Sequence, residues 1–358
     1  MTVVSPIRVL VVDDSAFMRK ALSAMLADDP RVAVIGTARN GEEALEKIPA
    51  LRPDVVTLDV EMPGMNGLEA LRWIMDQYPM PVLMVSSLTE EGARETIQAL
   101  EFGAIDYVPK QLDGVATNIA GIQHDLLEKV VAAAGMVGRV QRRRSGAETN
   151  GHSPVIGCRM TSATIAATRG SKVVAIGCST GGPKALQDIL PLLPADFPAG
   201  LLIVQHMPKY FTKPFAERMD QLSAIQVREA CQGDIVEPGV ALIAPGGMHM
   251  RVVRRRPTDV EIELASNREG LAHAPSVDIL MESVAEVYGS RGVGVILTGM
   301  GHDGLEGMRA IQRSHGRTLA QDEASSVVYG MPKAVVEDGC AQKVLPLASI
   351  AGEIVNMV

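Results

Sequence analysis

Aromatic residues are scarce in this chain, 3% of 358 with a single Trp, so the interior has to be built from aliphatic side chains. With 47% hydrophobic residues overall, that composition excludes a disordered or fibrous chain and favours buried parallel strands. Long apolar runs are also missing: no uninterrupted stretch approaches the roughly 20 residues that cross a bilayer, and the N-terminus reaches Asp13 and Asp14 after one short apolar strand. A cytoplasmic protein, not embedded in a membrane, is expected. Excess positive charge is absent, and a net charge of −8 argues against nucleic acid as a main partner. Four cysteines, Cys158, Cys178, Cys231 and Cys340, lack the close paired spacing of a metal site, and a chain this long needs no disulfide staples. They read as reduced thiols.

The length exceeds the size at which one hydrophobic core stops growing, which implies two domains. In the first, apolar runs at Ile7–Val12, Val32–Thr37, Asp54–Leu58, Pro81–Val85 and Tyr107–Val108 alternate with helical patterns. Such alternation predicts an α/β, doubly wound domain with a five-stranded parallel sheet of the flavodoxin-like kind, its sites at the carboxyl ends of the strands. Ile119, Ile122, Leu126 and Val130 mark the buried face of a last helix. From about Gly138 to Gly170 the pattern gives way to an arginine run, 142 to 144, and a stretch rich in Ser, Thr, Asn and Gly. Periodicity returns at Lys172–Cys178, then at Leu201–Gln205, Val240–Ala244 and Val293–Thr298. Alternation over Arg251–Arg256 and Asp259–Ala265 reads as a hairpin, so the second, mostly parallel, Rossmann-like sheet is expected to include an antiparallel portion. The divisions expected are 1–125, a linker at 126–170 with a helical start, and 171–358.

Asp13 and Asp14 end the first strand of the first domain, Asp59 the third, Ser86 the fourth and Lys110 the fifth. Three converging carboxylates repel unless a cation neutralises them, and an all-oxygen donor set suits Mg²⁺. With that shielding Asp59 can accept a phosphoryl group, Ser86 can hydrogen-bond one of its oxygens and Lys110 can pair with its charge. An Asp at any one strand end is ordinary turn chemistry; at this many together it is not. The segments VVDDS, LDVEMPGMNG, VSS and DYVPK resemble the signature of bacterial response-regulator receivers over residues 7–125. That resemblance implies Asp59 as phosphoacceptor, Asp13 and Asp14 binding Mg²⁺ with it, and Ser86 and Tyr107 as the switch. One departure is that Gln111 follows Lys110, where receivers usually have Pro, while Pro109 precedes it.

In the second domain Ser179 sits between a strand and a helix in the pattern G-x-S-x-G. Small residues on both sides permit an elbow that projects the hydroxyl near a helix N-terminus. A simple capping serine remains an alternative at this point. A nucleophilic serine needs a base titrating near neutrality, and His206, at the end of the next strand, is the first choice. His249 is the second candidate; His273 and His302 compete, whereas His124 falls in a helix of the first domain and His152 in the linker. Asp303, in a glycine-rich turn after a later strand, is the carboxylate to orient the base. The segments GCSTGGP, VQHMP, LTGMGHDG, APGGMHM and AQDEASSVVYGMP resemble the catalytic domain of the chemotaxis protein-glutamate methylesterases, the CheB family, over about residues 170–358. This resemblance implies Ser179 as nucleophile, His206 as base, Asp303 as orienting acid, the Met300 backbone N–H as oxyanion donor, and Thr180 beside the site. It further implies phosphorylation-activated hydrolysis of glutamate γ-methyl esters, with glutamine deamidation as a related activity. No cofactor is implied for the esterase. The chemotaxis histidine kinase CheA would be phosphodonor and methyl-accepting chemoreceptors substrate. A phosphorylation-dependent binding module with an inactive esterase-like domain is the alternative reading.

Overall fold

The structure, a computed structural model, describes residues 5–110, 116–136, 172–256, 259–267 and 273–358, with the side chains of 116–122 also set aside. The first domain runs β1 (Ile7–Val12), α1 (Ala16–Ala27), β2 (Val32–Ala38), α2 (Gly41–Leu51), β3 (Val55–Asp59), α3 (Gly67–Gln77), β4 (Val82–Ser86), α4 (Glu90–Glu101), β5 (Asp106–Pro109) and α5 (Ala116–Ala134). Its first four helices begin on side chains that accept a first-turn amide, Ser15, Asn40, Asn66 and Thr89, which fixes where each strand hands over to its helix. All strand pairs are parallel in the order β2-β1-β3-β4-β5, the doubly wound order whose crevice opens at the carboxyl ends of β1 and β3.

Leu126, Val130 and Ala133 of α5 are fully buried in the core of this domain, so the helix belongs to it as far as Ala134 and the boundary expected at 125 falls inside an element. Leu126 and Val130, expected on the buried face of a last helix, are buried on α5. Residues 137–171, with the arginine run, His152 and Cys158, lie outside the described residues.

The second domain runs β6 (Val173–Cys178), α6 (Gly182–Ile189), β7 (Gly200–Gln205), α7 (Lys209–Leu222), β8 (Gln226–Glu229), β9 (Val240–Ile243), β10 (Met248–Arg254), β11 (Val260–Ser266), α8 (Val277–Tyr288), β12 (Gly292–Ile296), α9 (Leu305–Arg313), β13 (Arg317–Gln321), α10 (Met331–Glu337), β14 (Lys343–Leu345) and α11 (Leu347–Met357). Seven strands form one sheet in the order β14-β13-β12-β6-β7-β9-β8, every pair parallel. The expected hairpin exists as β10 and β11 but makes a separate two-stranded antiparallel sheet, so the main sheet has no antiparallel portion. Met250 and Val252 of β10 join Leu280, Met281 and Val284 of α8 in one buried cluster, and this packing draws the hairpin off the sheet.

Chain order reverses on either side of β6: β7 lies to one side and β12 to the other. That is the topological switch point where an open α/β sheet forms its crevice. The two domains also touch. The Tyr107 ring of β5 stacks on Phe211 of α7 with centroids 4.6 Å apart, and Glu101 of α4 pairs with Arg218 of α7.

Candidate active site and phosphoacceptor site

All six residues of β6 are buried, and the chain leaves the sheet at Ser179 in a tight turn. Ser179 N–H donates to Thr298 O at 3.0 Å, and Gly182 N–H donates back to Ser179 O at 2.8 Å. Gly181 has φ +75° and a Cβ there would stand 2.5 Å from Val327 Cγ2, so both conformation and space demand glycine. Gln205, buried at the end of β7, donates from its amide to Ser179 O (3.0 Å) and His206 O (3.1 Å), tying the two turns together. Its Oε1 accepts the Cys178 thiol at 3.0 Å, and burial pushes that thiol well above its ordinary pKa. Cys178 is therefore a buried donor, not a nucleophile.

His206 follows β7. Its Nε2 lies 2.8 Å from Asp303 Oδ2, both side chains being about nine-tenths buried. Asp303 is itself held by three further donors: Val277 N–H at 2.7 Å on Oδ2, and the Ser276 hydroxyl (2.9 Å) and Asp278 N–H (3.0 Å) on Oδ1. Burial pushes its pKa up, but the His206 imidazole and the two amides outweigh that and hold it well below the usual carboxylate range. An ionised Asp303 makes Nε2 the protonated nitrogen, so Nδ1 carries the lone pair. Nδ1 is buried and has no hydrogen-bond partner. The ring is thus used in the opposite sense to the serine-protease template, whose carboxylate takes Nδ1.

Ser179, Thr180, His206 and Met300 all line one cleft of about 680 Å³. Thr180 is buried, its carbonyl receiving the Thr298 hydroxyl at 2.9 Å, while Met300 is half-buried on the loop that also bears Asp303. Gly299 lies so close that a Cβ would come 2.9 Å from Ser179 Cβ. Of the competing histidines, His302 is exposed and His249 is buried on β10 away from the cleft. His273 stacks on the His206 ring with centroids 4.3 Å apart. Sequence reasoning missed Gln205, Ser276 and Asp278, polar residues whose roles depend on which strand ends and helix starts become neighbours. It also missed the opposite wall of the cleft, formed by Asp106, Tyr107, His124, Asp125 and Lys129 of the first domain. There the Lys129 ammonium donates to Tyr107 O at 2.7 Å and pairs with Asp125 at 3.2 Å.

At the other crevice, carboxylate oxygens of Asp13, Asp14 and Asp59 lie within 4.8 Å of one another. Lys110 Nζ reaches Asp59 Oδ2 at 2.6 Å and Asp13 Oδ2 at 3.0 Å, so having Pro109 on its near side does not misplace it. Its N–H also donates to Ser86 O at 2.6 Å. One ammonium does not neutralise three carboxylates, and burial, with Asp13 adding to it, pushes Asp59 up to about 6. This hard, all-oxygen set fits a divalent cation such as Mg²⁺. Ser86 is fully buried and donates to Gly92 O of α4 at 3.1 Å. Tyr107 is not at this crevice but at the contact with Phe211.

Family models match both halves: "CheB methylesterase" over residues 174–354 and "Response regulator receiver domain" over 9–117. The chain belongs to the CheB methylesterase family. Relatives named protein-glutamate methylesterase/protein-glutamine glutaminase share this length: one from Oleidesulfovibrio alaskensis is 48% identical, covering 98% of this chain and 99% of its own. Another, from Symbiobacterium thermophilum, is 49% identical over 99% and 97%. Among solved structures, the Thermotoga maritima CheB methylesterase catalytic domain is 41% identical, covers 52% of this chain and 99% of its own, and superposes with a TM-score of 0.51. Within this family the N-terminal half is a receiver and the C-terminal half the methylesterase domain.

Proposed function

We propose that Ser179, His206 and Asp303 hydrolyse glutamate γ-methyl esters on methyl-accepting chemoreceptors, and that the receiver controls them by phosphorylation at Asp59. The observation that carries the reading is the imidazole of His206, which lines the same cleft as the elbow serine: one nitrogen is locked onto a carboxylate, and the other is buried with no hydrogen-bond partner among the described residues. That is the disposition of a general base awaiting a hydroxyl, and such bonds often tighten only when substrate is bound.

In the reaction, Ser179 Oγ attacks the ester carbonyl while His206 Nδ1 takes the hydroxyl proton. The resulting imidazolium is stabilised by Asp303, and the oxyanion by the Met300 N–H and the start of α6. The tetrahedral intermediate collapses as Nδ1–H protonates the departing methoxide, releasing methanol. Water then adds to the acyl-serine, its proton going to Nδ1, and collapse returns that proton to Ser179 Oγ and frees glutamate. Deamidation of glutamine follows the same course with ammonia leaving, and the names of the full-length relatives support both activities here.

Asp13, Asp14 and Asp59 would hold Mg²⁺, which shields charge at an incoming phosphoryl group. Asp59 is the acceptor, Lys110 pairs with the phosphoryl charge and Ser86 donates to one of its oxygens. The phosphodonor is the chemotaxis histidine kinase CheA. Receiver residues wall the esterase cleft, so the unphosphorylated receiver restricts access and phospho-Asp59 loosens the α4–α7 contact. Among the described residues no helix is long and apolar enough to cross a membrane.

Methanol release from methylated receptor membranes, with and without a small phosphodonor, tests the reading. Wild type should respond to the donor, Asp59→Asn should retain only basal release, and Ser179→Ala should release nothing under either condition. Undiminished release by Ser179→Ala would refute the esterase assignment, and donor-activated Asp59→Asn the phosphoacceptor.

A further inference from the structure

Helices α8 and α9 both begin without a cap of their own: Ser276 makes no bond to the first turn of α8, and Gly304, ahead of α9, has no side chain. Each is capped by an aspartate from the other. Asp303, just before α9, takes Val277 and Asp278 N–H at the start of α8. Asp278, in the first turn of α8, takes Gly304 N–H at 2.9 Å and Gly307 N–H at 2.8 Å at the start of α9, both on Oδ1. Two positive helix ends thus face one another and exchange carboxylates. Close approach makes this feasible, since a Cβ on Gly307 would lie 2.5 Å from Met281 Cβ and 3.2 Å from Asp278 Cα. The turn bearing Met300 and Asp303 cannot shift without breaking both bonds to Asp278.

We propose that Asp278 is a positioning residue of the esterase, fixing the turn that bears Asp303 and so the carboxylate that orients His206. The proposal rests on the relay read for Ser179, His206 and Asp303. Asp278 touches neither the imidazole nor the cleft; it acts through Asp303. Burial first, and then the Asp303 charge, push Asp278 up to about 6. The groups facing His206 are Asp303 and the stacked His273, with His302 and, from the receiver, Asp125 acting on that His273; the charged group facing Asp278 is Asp303.

Asparagine at 278 separates the anchor from the charge, because its Oδ1 still accepts both amides while the charge is gone. In the full-length, phosphodonor-activated enzyme, Asp278→Asn should melt no lower than wild type and keep its kcat and KM, because its Oδ1 still anchors the Asp303 turn. Asp278→Ala loses the acceptor as well and should fall about tenfold below the Asn variant in kcat. An Asn variant whose kcat falls as far as that of the Ala variant, or an Ala variant with wild-type kcat, overturns the proposal. Asp303→Asn, assayed alongside, keeps the two readings distinct: full activity there would refute the relay itself.

Discussion

Glu101→Lys isolates the contact through which the receiver is proposed to restrain the esterase. In the structure Arg218 forks onto Glu101, Nη2 to Oε2 at 2.9 Å with Nε meeting Oε1, and a weaker pair, Arg94 to Glu217 at 3.9 Å, lies beside it. The Arg218 side chain is 37% exposed and Glu101 21%, so solvent screening has to be discounted. A bidentate pair in that setting contributes about 1 kcal/mol. A lysine facing Arg218 adds repulsion of similar size, so the change destabilises the closed arrangement by about 2 kcal/mol, or about 30-fold in the ratio of closed to open. Glu101 belongs to neither crevice, so the activity of the open form should be unchanged. Basal methanol release without phosphodonor should rise toward the phosphorylated rate, and the charge swap Glu101→Arg with Arg218→Glu should restore restraint. Basal release that stays at the wild-type level in Glu101→Lys, while phosphodonor still activates it, would refute the idea that this contact holds the receiver closed.

Asp59 has a second consequence, in stability. Its pKa is raised to about 6 in the folded chain from an ordinary 3.8, so the native state binds more protons than the unfolded chain between those values, and this site's contribution falls as pH rises through that window. With divalent cations removed by chelator, Asp59→Asn should therefore raise the melting temperature at neutral pH, by up to about 3 kcal/mol in stability, with the gain vanishing below pH ~4; an equal gain at every pH would contradict this. Gly299→Ala brings a methyl group to 2.9 Å from Ser179 Cβ and 2.3 Å from Met331 Sδ. Displacement of the elbow by even about 1 Å should lower kcat about 100-fold with a smaller effect on KM, and steady-state kinetics showing wild-type kcat would contradict it.

Much of the architecture could be read from the chain because β1, β3, β4, β6 and β7 are buried on both faces and so appear as continuous aliphatic runs, each ending at a residue that carries chemistry. Asp59, Ser86, Ser179 and His206 were legible for that reason: a strand end in a parallel sheet is a place in space as well as in sequence. The helical start expected after 125 is the second half of α5, and its apolar face was legible by periodicity, whereas its packing on the receiver core through Leu126, Val130 and Ala133 needs the fold. The β10–β11 hairpin was legible as alternation, but nothing local says that it packs on α8 instead of extending the sheet. The supporting residues were the least visible. Gln205 and Asp278 are ordinary polar residues at a strand end and in a helix first turn until β6, β7 and β12 lie side by side and two helix starts meet. For the same reason the receiver wall of Asp106, Asp125 and Lys129 could not be inferred, since it exists only where two domains touch.

The central claim is that Ser179 is a nucleophile activated by an imidazole from another strand. Treating the full-length, phosphodonor-activated protein with a fluorophosphonate and mapping the adduct by peptide mass spectrometry tests it directly. The account predicts one phosphonyl group on the peptide containing Ser179, formed in step with loss of methanol release and absent from His206→Ala. An adduct elsewhere, or complete labelling of Ser179 with esterase activity intact, would contradict it.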